Sequence, residues 1–382
     1  MAVAASVVVA VGTATGMISA LDDRGRSDEA RPAETTRSPS FQSLPPVHSA
    51  YPSVTKSPSP MATSPTPKKQ ASPASPASPM PSPTRTERKQ QPAVVSARLY
   101  RHPDSQVLEW VRDNAGDPRH AVIESRIAAQ PAAVWFADFT PDTVTARVRA
   151  VTSGGAALGR VPVVVPYAIP DRDCGGYSEG GAPDLDAYDA WIDRFAAGLG
   201  SGDVIVILEP DSIAQSECLS AGERADRFAS LARAGRAFKA ANPKARVYYD
   251  AGHSGWNTPA KQAERLKQAG AASAASSDGI FSNVSNFHAT SDEIAYDRQV
   301  LDALGGPASL GAVIDTSRNG AGAPADGEWC DPAGRRLGRA PTLSTGEARI
   351  DAYLWVKLPG ESDGCKGRPG TFTASYAYDL AR

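Results

Sequence analysis

The 382 residues carry 40 Lys and Arg against 42 Asp and Glu, a formal net charge of −2. The basic residues are not massed on one segment, which argues against nucleic acid as a partner. The length would allow two or three domains, but only about three quarters of the chain has the apolar content to build a core.

Met1–Leu21 has no charge, is rich in Ala and Val, and is followed at once by Asp22, Asp23 and Arg24. Its length is close to the ~20 residues that span a bilayer, yet many of them are small, and there is no basic start or A-x-A cleavage site. Residues 1–25 therefore read as an export signal or a membrane anchor, and the export reading is preferred. Either one sends the rest of the chain out of the cytoplasm, to a secreted or surface-anchored location.

Residues 26–95 form a Pro/Ser/Thr-rich linker with runs such as SPTP and ASPASPASP. Such a segment cannot offset its ordering entropy by burial and is expected to be disordered and extended. All four cysteines, Cys174, Cys218, Cys330 and Cys365, lie beyond it. An even count in an exported chain suggests two disulfides, with three pairings open. No C-x-x-C or H-x-x-x-H pair is present, so no metal is expected.

From residue 96 to 382, short β-branched runs alternate with stretches of helical period. The strand candidates are Ala133–Phe136, Val161–Ala168, Val204–Leu208, Val247–Tyr249, Gly279–Ser282, Gly311–Ile314 and Ala352–Val356. Between them, Leu185–Leu199, Glu223–Ala241, Pro259–Ala269 and Ser291–Leu304 space apolar residues three and four apart, as amphipathic helices do. This is the pattern of one α/β domain, a seven-stranded parallel barrel wrapped by helices.

Reactive groups of such a barrel belong at the C-terminal ends of its strands. There the sequence reads DRDC, EPDS, DAGHSGW, NVSNF, DTSRNG and KLPGESDG in turn. Caps and turns explain a few Asp and Asn; they do not explain one rim loaded this consistently. Asp211 alone could cap a helix starting at Ser212, and Asp250 could close a turn with Gly252. Together with Asp173, Glu361 and Asp363 they form a cluster in which some carboxyls are held protonated by the charge of others. Acetal cleavage needs two carboxyl groups of different acidity. Trp135, Trp256 and Trp329 lie beside polar residues, where an indole can stack on a pyranose. Trp355 goes to the core, and Trp110 and Trp191 to helix faces.

The ordered set PYAIPDRDC, VIVILEPDS, YYDAGHSGW, SNVSNF, WCDP and WVKLPGESDG resembles glycoside hydrolase family 6, the β-1,4-endoglucanases and cellobiohydrolases, from about Leu99 to Arg382. The resemblance implies a distorted barrel of seven parallel strands, hydrolysis of β-1,4-glucan with inversion, and no cofactor. It makes Asp211 the general acid and has Asp173 raise that acid's pKa and help position the water. Asp363 matches the debated base, Asp250 supports the acid, and Tyr167 lies near the sugar at the cleavage point. Substrate contacts carry over to Trp135, His253, Trp256, Asn283, Trp329, Lys357 and Glu361, and the disulfides to Cys174–Cys218 and Cys330–Cys365. Several relatives have a water-relay serine six residues after the RDC aspartate; here that position is Glu179, preceded by Ser178, so either Ser178 takes the role by a small loop shift or the relay differs.

Only nineteen residues follow Asp363, fewer than the family's tunnel-forming loop needs, so an open cleft and endo action are expected over exo action. Two other classes compete: a non-catalytic glucan-binding protein of the same fold, and a metal-dependent phosphohydrolase.

Overall fold

A computed structural model describes residues 98–382; the expected signal or anchor (1–25) and linker (26–95) lie outside the described residues. The first short strand, β1 (Arg98–Leu99), is followed by α1 (Gln106–Asp113) and α2 (His120–Ile123), the latter running into a π turn at Glu124–Ala128. Then come β2 (Val134–Phe136), α3 (Val144–Ala157), β3 (Arg160–Val161), β4 (Val163–Pro166), α4 (Leu185–Ala196) and β5 (Val204–Leu208). The chain continues through α5 (Ala221–Ala241), β6 (Ala245–Asp250), α6 (Pro259–Gln268), β7 (Gly279–Ser282), α7 (Thr290–Leu304), β8 (Gly311–Asp315), β9 (Ile350–Leu354) and α8 (Ala374–Ala381).

Seven strands form one parallel sheet in the order β2-β4-β5-β6-β7-β8-β9. The sheet curls until its edges meet, where Ala133 N–H donates to Trp355 O at 2.9 Å and the Trp135 indole donates to Val356 O at 2.8 Å. This is the expected seven-stranded α/β architecture, with a single backbone bond at the seam in place of a full ladder.

Both faces of the strands are buried, as a parallel sheet under helices requires. Val204, Val206 and Leu208 pack outward among the helices, while Ile205 and Ile207 alternate inward with Tyr248, Phe281 and Val313. The helices begin where caps dictate. Ser220 and Glu223 close a capping box on α5, Asp184 caps α4, and Thr258 with Pro259 opens α6.

The expected strand Val161–Ala168 is split. Pro162 lacks the N–H that would continue the ladder, so Arg160–Val161 pairs with β1 and only Val163–Pro166 joins the main sheet. Helices α2, α3 and α8 were not foreseen, and α1 only as the helix face expected to carry Trp110. In α3 the apolar stripe is thin and holds a Gly154–Gly155 pair that weakens the helical signal. Packing explains the pair, since a Cβ on Gly154 would lie 2.5 Å from the Tyr100 hydroxyl and one on Gly155 2.8 Å from Pro162.

Gly279, in β7, has φ +145°, and a Cβ there would lie 1.8 Å from the Gly311 carbonyl oxygen. Backbone in a sheet centre cannot yield as a side chain can. Gly279→Ala is expected to lower stability by about 1–3 kcal/mol, from overpacking and strain, read as a shift of the urea midpoint with little change in slope.

Candidate active site

The C-terminal ends of the strands open into a cleft of about 1500 Å³, with Asp173, Asp211, Tyr167, Trp135, Lys357 and Asp363 among its lining. Asp211 follows β5 in the turn Glu209-Pro210-Asp211, where Glu209 and Asp211 have φ of 48° and 68°. Left-handed backbone at non-glycine residues has to be held by its surroundings. Two buried carboxylates provide the hold. Glu209 accepts from Ala168 N–H and Ile169 N–H at 2.9 and 3.1 Å, and Asp250 Oδ2 accepts from Ile213 N–H and Ala214 N–H at 3.0 and 2.7 Å. No helix starts at Ser212, so Asp211 is not a cap, and its carboxyl faces the cleft.

Burial pushes the Asp211 carboxyl well above the usual carboxylate range, and the charges of Asp250 and Asp173 add to it against the pull of Lys357. Asp250 is also raised by burial, but the N–H groups of Ala214, Gly252 and Ile213 favour its ionised form. The proton of this pair therefore resides on Asp211. Asp250, 1 % exposed, also closes the turn with Gly252 at 2.9 Å.

Asp173 lies in a tight loop with φ 58°, and its Oδ2 accepts from Ser178 N–H at 2.7 Å. Disulfides join Cys174 to Cys218 and Cys330 to Cys365, the pairing the resemblance implies. The first ties the Asp173 loop to the segment after Asp211. Arg172, not foreseen, places its guanidinium 4.5 Å from the Tyr167 ring centre and donates to Ala137 O and Ser178 O. Tyr167 meets Trp135 edge-on at 5.3 Å.

Asp363 is engaged on both oxygens. Arg318 donates to Oδ2 at 2.7 Å, Asp331 N–H donates to the same oxygen at 3.1 Å, and Lys357 Nζ stands 3.4 Å from Oδ1. Asp331 in turn accepts from Ser362 Oγ and from the N–H groups of Asp363, Cys365 and Lys366. Glu361, bonded by Gln106 Nε2 at 3.2 Å, is pushed up to about 7 by burial.

On the other wall His253 stacks on His288 with centroids 4.2 Å apart and lies 5.2 Å from Trp256. Burial, helped by the charge of His288, lowers His253 to about 3, so it meets ligand as a neutral imidazole. Trp256 and Trp329 are 36 % and 51 % exposed, free to offer an indole face, and Trp329 has Tyr177 beside it at 5.6 Å.

Asn283 departs from the expectation of a substrate contact. It is fully buried, with its amide nitrogen on His288 O and Asp315 O and its amide oxygen accepting from His288 N–H. It shapes the loop that carries His288, and the asparagine lining the cleft is Asn286. Arg318, Asp331, Glu209, Arg172, Tyr177 and Gln106 were missed as site residues. Arg318, Glu209, Arg172 and Asp331 stood inside the quoted motifs DTSRNG, EPDS, DRDC and WCDP, which was the available signal.

Burial raises Glu209 from the ordinary 4.5 to about 7. A carboxyl raised on folding stabilises below its unfolded value, and that contribution is lost as pH rises through the folded one. Stability is therefore expected to fall between pH 4.5 and about 7 and to level off above, and Glu209→Gln to flatten that fall, read as Tm across this range.

Residues 90–378 match the family model for the glycosyl hydrolases of family 6. Among curated proteins, "Endoglucanase 1" of Streptomyces sp. (strain KSM-9) is 51 % identical over 290 residues, covering 76 % of this chain and 79 % of that protein. "Endoglucanase A" of Thermobispora bispora is 50 % identical over 284 residues, covering 74 % and 61 %. Among solved structures, the endoglucanase Cel6 of Mycobacterium tuberculosis in complex with a methyl-cellobiosyl-thio-cellobioside superposes with TM-score 0.69 at 39 % identity, covering 75 % of this chain and 97 % of that one.

Proposed function

From a chain that belongs to glycosyl hydrolase family 6, we infer an endoglucanase that hydrolyses internal β-1,4 bonds of glucan with inversion at the anomeric carbon. The observation carrying this reading is the Asp211 carboxyl, held protonated by burial, Asp250 and Asp173 on the wall of a cleft. A protonated acid there donates to the glycosidic oxygen as the bond breaks. Asp173 has one oxygen held by Ser178 N–H and the other without a protein partner among the described residues, so that free oxygen orients the attacking water and accepts its proton. Asp363 would first have to give up the hydrogen bonds of Arg318 and Asp331; its role is to place Lys357 and to keep local charge balanced. Tyr167 and Trp135 shape the site around the sugar at the cleavage point. Trp256 and Trp329 supply stacking surfaces, and His253, Lys357 and Glu361 hydrogen-bond hydroxyls. No cofactor is needed for this chemistry.

Residues 96–382 act as the catalytic domain. Two disulfides fit an oxidising compartment, so the enzyme works outside the cytoplasm, as a secreted protein or tethered through residues 1–25, and no nucleic-acid partner is assigned. The test is hydrolysis of carboxymethyl cellulose with the product anomer followed by NMR. Rapid loss of viscosity with release of the α-anomer is expected. Slow viscosity loss with cellobiose release would mean exo action, and binding without hydrolysis would mean a glucan-binding protein.

A further inference from the structure

Helix α7 buries two carboxyl groups one turn apart. Glu293 and Asp297 are both 0 % exposed, and residues four apart share a helix face. Each has one oxygen satisfied: Ser254 N–H donates to Glu293 Oε1 at 2.9 Å, and Ser282 Oγ donates to Asp297 Oδ2 at 3.0 Å. The other two oxygens, Glu293 Oε2 and Asp297 Oδ1, are buried without a partner.

We propose that one proton is shared between these two orphan oxygens and that the pair is a positioning device for the turn that presents His253 and Trp256 to the cleft. Two ionised carboxylates so placed would repel with no cation to compensate them, and a single O–H···O⁻ bond satisfies both atoms at once. Among the described residues no cation is paired with either carboxyl; the Ser282 hydroxyl lies beside Glu293 as well as Asp297, and the stacked His253 and His288 rings border the same turn. Asp292 opens the same helix, Tyr296 on α7 donates to Ala251 O at 2.9 Å, and Asp250 at the end of β6 is occupied by backbone N–H groups. Lys261 and Arg265 of α6 are engaged by Glu217, Arg298 by Glu347, and Asp315 at the end of β8 by the N–H groups of Ser285, Ser317 and Lys357. Burial and the charge of Glu293 hold Asp297 well above the usual range, in keeping with a retained proton.

The functional consequence runs through Ser254. It sits between His253 and Trp256, which line the cleft, and α7 grips their turn at two points, Ala251 O and Ser254 N. When the shared proton leaves at alkaline pH, the carboxylates separate, Glu293 releases Ser254, and the wall that holds the glucan loosens. Substrate affinity falls through this wall, separately from the loss of the Asp211 proton as pH rises.

This inference rests on the glucanase reading, so the test needs no turnover. Binding of cellotetraose to the wild type, Asp297→Asn, Glu293→Gln and Glu293→Ala is followed by calorimetry as pH is raised. Both amide variants keep the geometry, since an amide N–H can replace the shared proton. Their Kd is expected to stay within about twofold of wild type at neutral pH and to lose the alkaline weakening; Glu293→Ala is expected to bind about tenfold more weakly throughout, the loss of one hydrogen bond. An alkaline profile unchanged in the amide variants, or a Kd unchanged in Glu293→Ala, overturns the proposal. If no variant, wild type included, binds cellotetraose, the glucanase reading fails. An infrared difference spectrum between wild type and Asp297→Asn then decides the proton by itself: a buried protonated-carboxyl band present only in wild type supports it, and its absence overturns it.

Discussion

Asp211→Ala is expected to reduce kcat on carboxymethyl cellulose by about 10²–10⁴-fold, the contribution of a positioned general acid, while cellotetraose binds within a few-fold of wild type. The loss should depend on the leaving group. A cello-oligosaccharide carrying a dinitrophenyl aglycone departs without a proton, so the variant should cleave it far better than it cleaves glucan. Asp211→Asn keeps a hydrogen-bond donor but cannot transfer a proton, and should lose as much as the alanine variant. In the wild type, activity should fall as pH rises through the raised pKa of Asp211, because burial, Asp250 and Asp173 all favour the protonated form and only that form is active. A variant that keeps more than about a tenth of wild-type kcat on unactivated glucan would remove Asp211 from the role of acid.

Arg318→Met should be the most destabilising single change at the site. The guanidinium is completely buried; it bonds Asp363 at 2.7 Å and the Tyr376 hydroxyl at 3.3 Å, donates to Ser285 O and lies 4.4 Å from the Phe287 ring centre. Asp331 is 4.0 Å away and equally buried. Removing the cation leaves two buried carboxylates without it, a change that costs about 3–5 kcal/mol for a buried pair. Urea unfolding checks this, with the midpoint falling and kcat falling as Lys357 and Asp363 lose their placement. Adding Asp363→Asn to Arg318→Met should restore part of the lost stability, since it removes the stranded charge. Purely additive losses would mean that Arg318 acts through packing alone.

The rim was legible in the sequence because a parallel α/β domain puts its strand ends on one side. A β-branched run followed by a polar motif thus places the motif without knowledge of the strand order, as for Asp211 after Val204–Leu208 and Asp250 after Val247–Tyr249. The long helices α4 to α7 were equally legible, since their apolar spacing is local. The family resemblance rested on six such motifs in order.

What each rim residue does was decided by tertiary contacts. Asn283 and Asn286 stand three residues apart in one motif, yet the turn at φ 64° sends the first inward to hold His288 and leaves the second to the cleft. Pro162 ended a strand that hydropathy alone would have continued. Asp211 carries a proton because the fold buries its carboxyl and brings the charges of Asp250 and Asp173 beside it from neighbouring strands. The partners of Asp363 come from the β8 end at Arg318 and across a disulfide at Asp331. Periodicity and turn chemistry are properties of a few consecutive residues, so the sequence by itself determined the elements and the rim. Burial and charge balance sum over groups far apart in the chain, so only the fold decided which carboxyl holds a proton and which holds the scaffold.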